Sequence, residues 1–474
     1  MVHSSRCDAD PRLENRVTTP QLRERSISYD VAVIGGGPGG FPAALAAARN
    51  GAKTILVERT AALGGAAASG LSILGFLDRS GNKALDGIPQ EFMDRLAALG
   101  GAPGHFWCPV HNSISPVSSD LVKIVAVQMC QEAGVDILFE NELIGAEVED
   151  SQLRAVTVFG KLTNTRIEAR QFIDATGDGD LAYLAGVPFT RGQEGTEIMQ
   201  PSTLVFTVAG HDLERLFAFL DEHPEEMGIK EDYAEGYDVD FLRKTRGHCF
   251  IGLTDLVRKA REAGDFSVPR NQFIHIATAS EKLLTINTSR VTRIDASDPV
   301  ELSAGLETGY EQVLEIVNFM RRYVPGFEDV VISQIAPALG IRETRHFLGE
   351  TRLTMETLYS TETTEKAIAQ SAYNVDIHSG TGEGIELSVI EKPYGIPYNC
   401  LVPQGVDGLL LSGRTISVDS TVFASARVMG TCMAVAEAAG TAAAIALGSS
   451  SRVRDVNVDE LRKKLVAEGA MVPA

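Results

Sequence analysis

The feature that most constrains this chain is a glycine-rich turn between a short apolar stretch and an alanine-rich one. Residues 30–34 (DVAVI) have the uninterrupted apolar character of a buried parallel strand, and GGGPGG follows at residues 35–40. The next residues, FPAALAAARNGAK, predict a helix that ends near Gly51, and TILV at residues 54–57 predicts a second strand ending at Glu58. This order predicts an α/β fold that begins with a Rossmann-like unit.

Within the turn, Gly35-x-Gly37-x-x-Gly40 is the spacing typical of dinucleotide binding. Gly35 permits the tight turn, Gly37 lets the backbone approach a pyrophosphate, and Gly40 lets the helix pack against the strand. The start of the helix offers backbone N–H groups to the phosphates. Glu58 would accept hydrogen bonds from the adenosine ribose hydroxyls, although a solvated charge is the simpler alternative. The motif in this context predicts a bound dinucleotide.

Length, composition and charge narrow the class of protein. A chain of 474 residues exceeds what one hydrophobic core usually serves, so we expect two closely packed domains. The formal net charge of −20 argues against partners such as nucleic acid or an anionic membrane. No run of 18 uncharged apolar residues occurs, and the closest stretch, Ala434 to Leu447, carries Glu437 and is interpreted as a buried helix. Homo-oligomerisation is compatible with all of this.

The cysteines and the N-terminal residues indicate the compartment. The 6 cysteines are scattered and form no C-x-x-C pair, so we expect neither a disulfide framework nor a metal site. Residues 1–28 are polar and lack the apolar segment of a signal peptide. We interpret them as a flexible N-terminal arm and expect a cytoplasmic protein.

The pattern along the chain predicts a nucleotide-binding domain interrupted by an insert. An antiparallel meander is expected at residues 147–169, followed by a strand at 170–175. From residue 187 the chain mixes strands with charged helices, and α/β character returns near residue 405. We therefore predict the N-terminal arm (1–28), the nucleotide-binding domain in two parts (29–186 and 399–450), an inserted α+β substrate domain (187–398) and a C-terminal tail (451–474).

FAD and NAD both bind to such a unit, and three later segments favour FAD. Leu63 to Ala66 (LGGA) follows Glu58 at the place where, in two-domain flavoproteins, a glycine pair lets the chain pass close to the flavin. Asp174 to Asp180 (DATGDGD) resembles the ATG motif by which such proteins return to the nucleotide domain. Residues 408–447 predict a strand, a Gly-Arg turn and a long helix from Ser425, whose N–H groups would stabilise negative charge on the reduced flavin. The alternative for that helix is a purely structural role.

In these motifs the chain resembles the bacterial FAD-dependent oxidoreductases that have a fumarate-reductase-like nucleotide domain. The resemblance extends over roughly residues 29–447. It includes four segments outside the turn: INTSRVTRID (286–295), GIRETRHFLGE (340–350), YNVDIH (373–378) and PYGIPYNCLVP (393–403). Where this chain has Gly413-Arg414, many relatives in the wider flavoprotein class have Gly-Asp or Gly-Glu. Gly-Arg is typical of this family. The resemblance implies a Rossmann-like FAD domain, with a parallel sheet and an antiparallel meander, plus the inserted substrate domain.

The FAD contacts implied by these motifs come from six stretches of the chain. They are Gly35, Gly37, Pro38, Gly40, Glu58, Arg59, Gly64, Gly65, Leu143, Ala175, Thr176, Gly177, Gly413, Arg414, Arg427, Val428, Met429 and Gly430. Related enzymes attach flavin covalently through a histidine or cysteine near the ring. Because GGAAASG at residues 64–70 contains neither, we expect non-covalent FAD.

The substrate side is predicted from polar residues in or next to the insert. No second G-x-G-x-x-G and no C-x-x-C occurs, so direct hydride exchange between a small organic substrate and flavin N5 is what remains. His378 could take a proton as hydride leaves, and Arg290 or Arg345 could clamp a substrate carboxylate. Tyr398 ends the rigid turn PYGIPY and is the fourth candidate. Alternatively, the arginines form surface ion pairs with nearby glutamates and the histidine is structural.

Three functions stay open at this point. The protein oxidises a C–O, C–N or C–C bond of its substrate, or it reduces an activated double bond with an arginine as proton donor, or it transfers electrons without a substrate of its own. The long His- and Arg-containing insert argues against the third function, because electron transfer needs no such enclosure. Halogenase and aromatic hydroxylase activities are disfavoured by Gly413-Arg414 but stay open. Oxygen, a quinone or a partner protein would accept the electrons.

Overall fold

The computed structural model describes residues 21–193, 196–229, 234–382 and 384–473. The strands, numbered in chain order, are β1 (Arg23–Ile34), β2 (Thr54–Glu58), β3 (Ile73–Leu74), β4 (Phe106–Cys108), β5 (Asn112–Ser115), β6 (Asp136–Phe139), β7 (Glu142–Glu149), β8 (Gln152–Gly160), β9 (Thr163–Asp174), β10 (Phe189–Arg191), β11 (Phe206–Ala209), β12 (Cys249–Gly252), β13 (Phe273–Ala277), β14 (Leu283–Ile286), β15 (Val331–Ile335), β16 (Arg345–Phe347), β17 (Ala367–Ser371), β18 (Val375–His378), β19 (Ile385–Ser388), β20 (Tyr394–Pro397) and β21 (Leu409–Leu411). The α-helices are α1 (Phe41–Arg49), α2 (Ile88–Ala98), α3 (Ser119–Glu132), α4 (Asp180–Leu184), α5 (Leu213–Glu222), α6 (Val239–Lys244), α7 (Thr254–Glu262), α8 (Pro299–Tyr323), α9 (Thr361–Glu365), α10 (Ser420–Ala426), α11 (Met429–Ser449) and α12 (Val458–Ala467).

The main sheet has seven strands, in the order β6-β2-β1-β9-β8-β7, with β21 also paired to β9. Strands β6, β2, β1, β9 and β21 run parallel to their neighbours, while β9, β8 and β7 form an antiparallel meander. The second half of β1, residues 31–34, is buried, as a strand covered on both faces must be. The predicted α/β fold, a Rossmann-like parallel sheet with a meander, is confirmed.

Strand β1 begins earlier than the sequence suggests. Residues 23–28 pair with residues 163–168 of β9, although we had expected them to belong to the flexible arm. This part of the arm prediction is wrong, because backbone hydrogen bonds in a largely exposed ribbon, rather than apolar burial, hold RERSIS in the sheet. Residues 1–20 of the predicted arm, with Cys7, lie outside the described residues.

A second sheet is antiparallel, in the order β12-β13-β14-β11-β15. Its hydrophobic core runs from Leu204 to Leu339, includes the buried face of α8, and takes in Cys108, Val110 and Ile114 from the β4–β5 region. Most apolar side chains of residues 353–398 in the predicted insert contribute instead to a first core, which includes α1 and α11, while Ile385 and Leu387 pack against the core of the second sheet. A third cluster includes Ala32, Ile34 and Phe172 of the main sheet. The hydrophobic cores therefore do not follow the predicted boundary at residue 398.

Helix α11 lies at the centre of the first core. It is long and apolar enough to span a membrane, but 83% of its apolar window is buried inside the protein, as in a core helix. Its small residues allow close packing on α1, since a Cβ at Gly440 would lie 2.1 Å from the carbonyl oxygen of Ala43. We predicted one helix from Ser425 to Leu447, whereas the chain breaks at Arg427 and Val428, which is extended (φ −69°, ψ 147°), and α11 starts afresh at Met429. This break gives α11 its own N-terminus.

Candidate functional site

The three glycines of the Gly35-x-Gly37-x-x-Gly40 motif have different surroundings. Gly35 has φ +102°, and a Cβ there would lie 2.2 Å from the carbonyl oxygen of Ala175. A Cβ at Gly40 would lie 1.7 Å from the carbonyl oxygen of Gly35. At Gly37, by contrast, a Cβ would have, apart from its chain neighbours, one heavy atom of the described residues within 4 Å, the Cα of Gly65 at 3.8 Å. Gly35 and Gly40 therefore allow the turn to pack, while the backbone at Gly37 is open for a ligand.

The predicted second glycine pair lies against this turn. Gly64 donates its N–H to the carbonyl oxygen of Gly36 (2.9 Å), and a Cβ at Gly65 would lie 3.1 Å from the Cα of Gly37. Both residues of the pair have positive φ, +106° and +51°, which L side chains rarely adopt. The structure therefore brings together two glycine motifs that are separated by more than twenty residues in the sequence.

Glu58 ends β2 beneath the same turn and is 9% exposed. Its Oε2 accepts the N–H of Gly36 (2.6 Å) and its Oε1 accepts the N–H of Thr60 (2.8 Å). Each oxygen keeps a second lone pair with which it can accept a hydrogen bond from a hydroxyl group. Gly36 was missed by sequence reasoning, although a Cβ there would lie 2.4 Å from Leu63 and would push the chain off this carboxylate.

Two further predicted contacts lie at the end of this strand. Arg59 follows Glu58 directly and is exposed. Leu143 is partly buried in β7, close to Asn141, whose N–H donates to the carbonyl oxygen of Glu58 (3.2 Å). Arg59 is therefore adjacent to Glu58 in the chain, and Leu143 lies two residues beyond a contact with the Glu58 backbone.

The C-terminal motif joins the glycine turn from the other side. The Ser412 hydroxyl donates to the carbonyl oxygen of Gly39 (2.7 Å), and a Cβ at Gly39 would lie 2.9 Å from the Cα of Gly413. Sequence reasoning did not single out Gly39. A glycine is needed there because the backbone packs against a segment more than 370 residues away. Arg414 donates to Asp178 Oδ1 (3.0 Å) and to the carbonyl oxygen of Ile341 (2.6 Å). The Gly-Arg turn is thus tied to the DGD segment and to the insert.

Asp174 shapes the ATG turn and was not among the predicted residues. Its Oδ1 accepts the N–H and the hydroxyl of Thr176 (3.0 and 2.8 Å), and its Oδ2 accepts the N–H of Ala182 (2.7 Å). Burial raises the pKa of Asp174 to about 6. The carboxylate holds Ala175 against Gly35 and sets the backbone course through Gly177, so its role is to position the turn.

The start of α11 has no side-chain cap. Val428 is the N-cap residue, and Met429 and Gly430 follow in the first turn. A Cβ at Gly430 would lie 2.5 Å from the carbonyl oxygen of Leu74, so β3 packs directly on this end of the helix. First-turn N–H groups without a capping side chain can bind a negatively charged group.

Next to this helix start, an aspartate holds a histidine and an arginine. His378 Nε2 lies 3.3 Å from Asp376 Oδ1, and Arg427 Nη2 lies 3.1 Å from the Asp376 carbonyl oxygen and 3.8 Å from its Oδ2. The Gln200 side-chain oxygen accepts hydrogen bonds from the backbone N–H of His378 (3.3 Å) and from Arg427 Nη2 (3.5 Å). Among the described residues, His378 Nδ1 is buried with no hydrogen-bond partner. The predicted catalytic histidine therefore meets the predicted flavin-binding arginine through Asp376.

Burial and neighbouring charges set the protonation of this group. Burial lowers the pKa of His378 to about 3, and the charge of Asp376 offsets only part of that fall. Burial alone would raise the pKa of Asp376, but the charges around it, those of His378 and Arg427 foremost, hold that pKa below its ordinary value. At neutral pH the group therefore contains a carboxylate and a neutral histidine, with Nε2–H facing the carboxylate and Nδ1 left as an acceptor.

Further arginines surround the aspartate. Arg290 donates to the carbonyl oxygens of Ser379 (2.6 Å) and Gly382 (2.9 Å), in the loop that follows His378. Arg342 donates to the carbonyl oxygen of Pro201 and to the Thr203 hydroxyl, both at 2.6 Å. Arg290, predicted as a substrate contact, is thus close to His378.

Two predicted catalytic residues have structural partners elsewhere. Arg345 donates to Asp180 Oδ1 and to the Asp178 carbonyl oxygen (both 2.9 Å), and its guanidinium lies 4.5 Å from the centre of the Tyr183 ring. The Tyr398 hydroxyl donates to the carbonyl oxygen of Val453 (2.7 Å) inside the first core, and burial raises its pKa well above the ordinary value. Both side chains therefore bind distant segments of the chain, although Arg345 Nε is buried without a hydrogen-bond partner among the described residues. Their catalytic roles stay predictions.

Sequence reasoning missed Asp376, Gln200 and Arg270, which all belong to or adjoin this group. Asp376 stands two residues before His378 in YNVDIH, and that spacing places both on one face of β18. It was the one signal that could have identified the pair. Gln200 and Arg270 carry no local pattern, because their role depends on contacts with segments far away in the sequence.

Curated proteins match a short segment of the chain at high identity. A segment of 43 residues is 51% identical to digeranylgeranylglycerophospholipid reductase of Methanocaldococcus jannaschii, covering 9% of this chain and 11% of that protein. A segment of 45 residues is 60% identical to dihydrolipoyl dehydrogenase of Chlorobaculum parvum, covering 10% of this chain and 9% of that protein. The chain therefore matches about a tenth of the length of these relatives.

Solved structures resemble the chain over most of its length but at low identity. A geranylgeranyl bacteriochlorophyll reductase-like protein from Thermoplasma acidophilum has a TM-score of 0.43 and 15% identity, covering 94% of this chain and 84% of that one. A flavoprotein/dehydrogenase from Cytophaga hutchinsonii has a TM-score of 0.46 and 14% identity, covering 93% and 86%. The family model described as FAD dependent oxidoreductase matches residues 30–465, and the chain therefore belongs to this family, with FAD as its cofactor.

Proposed function

We propose that FAD lies between the glycine turn, the Gly64-Gly65 pair and the start of α11, and that the protein exchanges hydride between a small organic substrate and the flavin. The residues present fit FAD, because the backbone at Gly37 is open, Glu58 keeps lone pairs for hydroxyls, and the first turn of α11 is uncapped. FAD when bound supplies a hydride acceptor or donor at flavin N5.

The observation that carries the proposal is the geometry of His378. Its Nε2 faces Asp376 (3.3 Å), its Nδ1 is buried without a partner, and Arg427, which also contacts Asp376, directly precedes the N-cap residue of α11. Asp376 orients the ring, so that the Nδ1 lone pair can take a proton from a substrate O–H or N–H as hydride leaves the adjacent carbon. The histidine thus balances the two-electron oxidation by removing the second hydrogen as a proton.

A second candidate is reduction of an activated double bond, as in fumarate-reductase-like enzymes. It is favoured by Arg342, whose pKa is lowered to about 9 by burial and by the neighbouring arginines, so that this guanidinium gives up a proton more readily than an exposed one. In this direction hydride would reach one carbon of the double bond and a proton the other.

Anaerobic substrate screening tests the direction of the reaction. Oxidised holoenzyme is mixed with alcohols, amines and saturated acids while the flavin absorbance is followed, and pre-reduced holoenzyme is mixed with unsaturated acids. Bleaching in the first screen supports oxidation, and recovery of the oxidised spectrum in the second supports double-bond reduction. If neither screen changes the flavin spectrum with any substrate class, electron transfer without a substrate becomes the better interpretation.

His378→Ala tests the proposed proton acceptor. We expect the variant to keep its FAD but to lose about 100-fold or more in the rate of flavin bleaching, because general base catalysis typically contributes that much. His223→Ala is the matched control, since His223 is exposed and its ring nitrogen pairs with Glu225 at the surface. Unchanged bleaching in His378→Ala, measured by stopped-flow absorbance, would assign His378 a structural role.

A further inference from the structure

Three buried or largely buried arginines, Arg270, Arg342 and Arg427, act electrostatically on Asp376 or His378 beside the proposed hydride-exchange site. Arg270, 1% exposed, donates to the carbonyl oxygen of Asn287 (2.9 Å). Arg342 donates to Pro201 and Thr203, and Arg427 to Gln200 and the Asp376 carbonyl oxygen. Nearly all of these acceptors are neutral. They satisfy hydrogen bonds but do not compensate the positive charges.

The charges in this arginine cluster (Arg270, Arg342 and Arg427) are unbalanced. Within the described ranges, Arg427 has an ion pair with Asp376 (3.8 Å), whereas no carboxylate lies at ion-pair distance from Arg270 or Arg342. The arginines also act on one another, since burial and the like charges nearby lower the pKa of Arg342 to about 9 and that of Arg270 to about 10. One carboxylate therefore faces three guanidinium groups while His378 is neutral.

Some donors of the cluster are also vacant. Arg270 Nη2 and Arg427 Nε are buried with no hydrogen-bond partner in the described structure, and so is His378 Nδ1. Burying uncompensated cations and unpaired N–H groups costs free energy unless another group supplies the missing negative charge and acceptors. The cluster has the donors to bind such a group through charge-assisted hydrogen bonds.

We infer that the substrate of the proposed reaction is a small organic dianion, carried on carboxylate or phosphate groups, which the arginine cluster binds beside His378. The inference rests on the proposed function for the identity of the ligand as substrate. Two negative charges would balance the two arginine charges that Asp376 leaves uncompensated. Arg342 and Arg270 hydrogen-bond to segments of the insert, residues 201–203 and 287, rather than to the glycine turn where the FAD phosphates are proposed to lie. The cluster is therefore assigned to the substrate.

Ligand binding to the holoenzyme tests the inference without requiring turnover. Succinate, inorganic phosphate and the neutral analogue succinamide are titrated separately, and binding is followed through the flavin difference spectrum and the thermal unfolding midpoint. We expect saturable binding of succinate or phosphate and none of succinamide. Preference for succinate identifies a dicarboxylate substrate, and preference for phosphate identifies a phosphorylated one.

Variants locate the binding site. Arg342→Gln and Arg270→Gln should each weaken dianion binding about tenfold or more, because a charge-assisted hydrogen bond contributes about 1.5–3 kcal/mol. Arg342→Lys, which keeps the charge, should lose less than Arg342→Gln. Arg215→Gln is the matched control, since Arg215 pairs with Glu328 on the surface and should not affect binding. FAD content and far-UV circular dichroism confirm that each variant is folded.

The outcomes separate this inference from the proposed function. Equal binding of succinamide and succinate, absence of any dianion effect, or wild-type affinity in the folded glutamine variants would overturn the inference. Dianion binding without bleaching by any substrate would refute hydride exchange but leave the anion site supported. Bleaching by a neutral substrate, with no dianion binding, would support the proposed function and overturn the inference.

Discussion

Gly37 and Gly40 stand three residues apart in one turn, yet a side chain would meet very different surroundings at each. The space above Gly37 is open, with the Cα of Gly65 at 3.8 Å, whereas a Cβ at Gly40 would overlap the carbonyl oxygen of Gly35 at 1.7 Å. A motif that the sequence presents as one unit therefore contains a ligand-facing glycine and a packing glycine. The two can be separated by experiment.

Gly37→Val should leave the apoprotein folded and weaken FAD binding about tenfold or more, because its side chain would occupy the path of the pyrophosphate. Gly40→Ala should instead lower the free energy of unfolding of the apoprotein, by about 1–3 kcal/mol, because the new Cβ must push the turn away from the helix. Urea unfolding of the apoproteins and flavin titration measure the two effects.

Gly448→Ala is the matched control for these substitutions. A Cβ at Gly448 would have no neighbouring atom within 4 Å, and the residue lies in the last turn of α11, so neither FAD affinity nor folding should suffer. Normal FAD affinity in Gly37→Val would show that the pyrophosphate lies elsewhere.

Helix α11 connects the proposed flavin site at its start with a buried carboxylate in its middle. Glu437 is 2% exposed and accepts the N–H of Ile88 at the start of α2 through Oε2 (3.0 Å). Burial raises the pKa of Glu437 from 4.5 to about 8. This side chain is therefore largely protonated at neutral pH, and it links α11 to α2 as a neutral group.

The raised pKa predicts how stability depends on pH. Between pH 4.5 and 8 the folded state binds more protons at Glu437 than the unfolded state does. The contribution of Glu437 to the free energy of unfolding therefore falls as the pH rises through this window. Glu437→Gln should remove this dependence and raise the free energy of unfolding at pH 8 by about 1 kcal/mol or more. Urea unfolding at pH 5, 6.5 and 8 measures both effects.

Glu307→Gln provides the control, because Glu307 is exposed on α8, which packs in the core of the second sheet, away from the cavity that Glu437 lines. The pH dependence of that variant should match the wild type. A Glu437→Gln variant with an unchanged pH profile would mean that Glu437 is ionised in the folded protein.

Across the whole molecule, the cofactor site is assembled from both ends of the chain. Gly39 contacts Ser412 and Gly413, and the Asp174 carbonyl oxygen accepts the N–H of Ser412 (2.9 Å). The second sheet has a hydrophobic core of its own, while most apolar side chains of residues 353–398 return to the first. A ligand that binds between the glycine turn and the C-terminal segment therefore stabilises contacts distant in sequence.

FAD should accordingly raise the stability of the first core as a unit. At a free FAD concentration about 100 times its Kd, the expected gain in the free energy of unfolding is about 2.7 kcal/mol. Thermal unfolding of apoprotein and holoenzyme, followed by far-UV circular dichroism and by the fluorescence of the released flavin, measures the shift. Equal midpoints with and without bound FAD would contradict this coupling.

The local parts of the fold and of the cofactor site could be predicted from the sequence. The strand-turn-helix order, the meander, the buried character of α11 and the glycine motifs each depend on residues close together in the chain. The polar ribbon at residues 23–28 could not be predicted, because β9 supplies its partner strand. The contacts of Arg345 with Asp180 and of Tyr398 with Val453 could not be predicted for the same reason.

The sequence by itself determined that a dinucleotide binds, because a glycine turn between a strand and a helix imposes its backbone geometry wherever it occurs. Three later segments of the sequence then favoured FAD. Only the tertiary structure decided which charged residues meet beside His378. Arg427 reaches Asp376 across 51 positions, and Arg342 reaches Thr203 across 139. Such contacts depend on how the sheets and α11 pack, and no local pattern of residues encodes them.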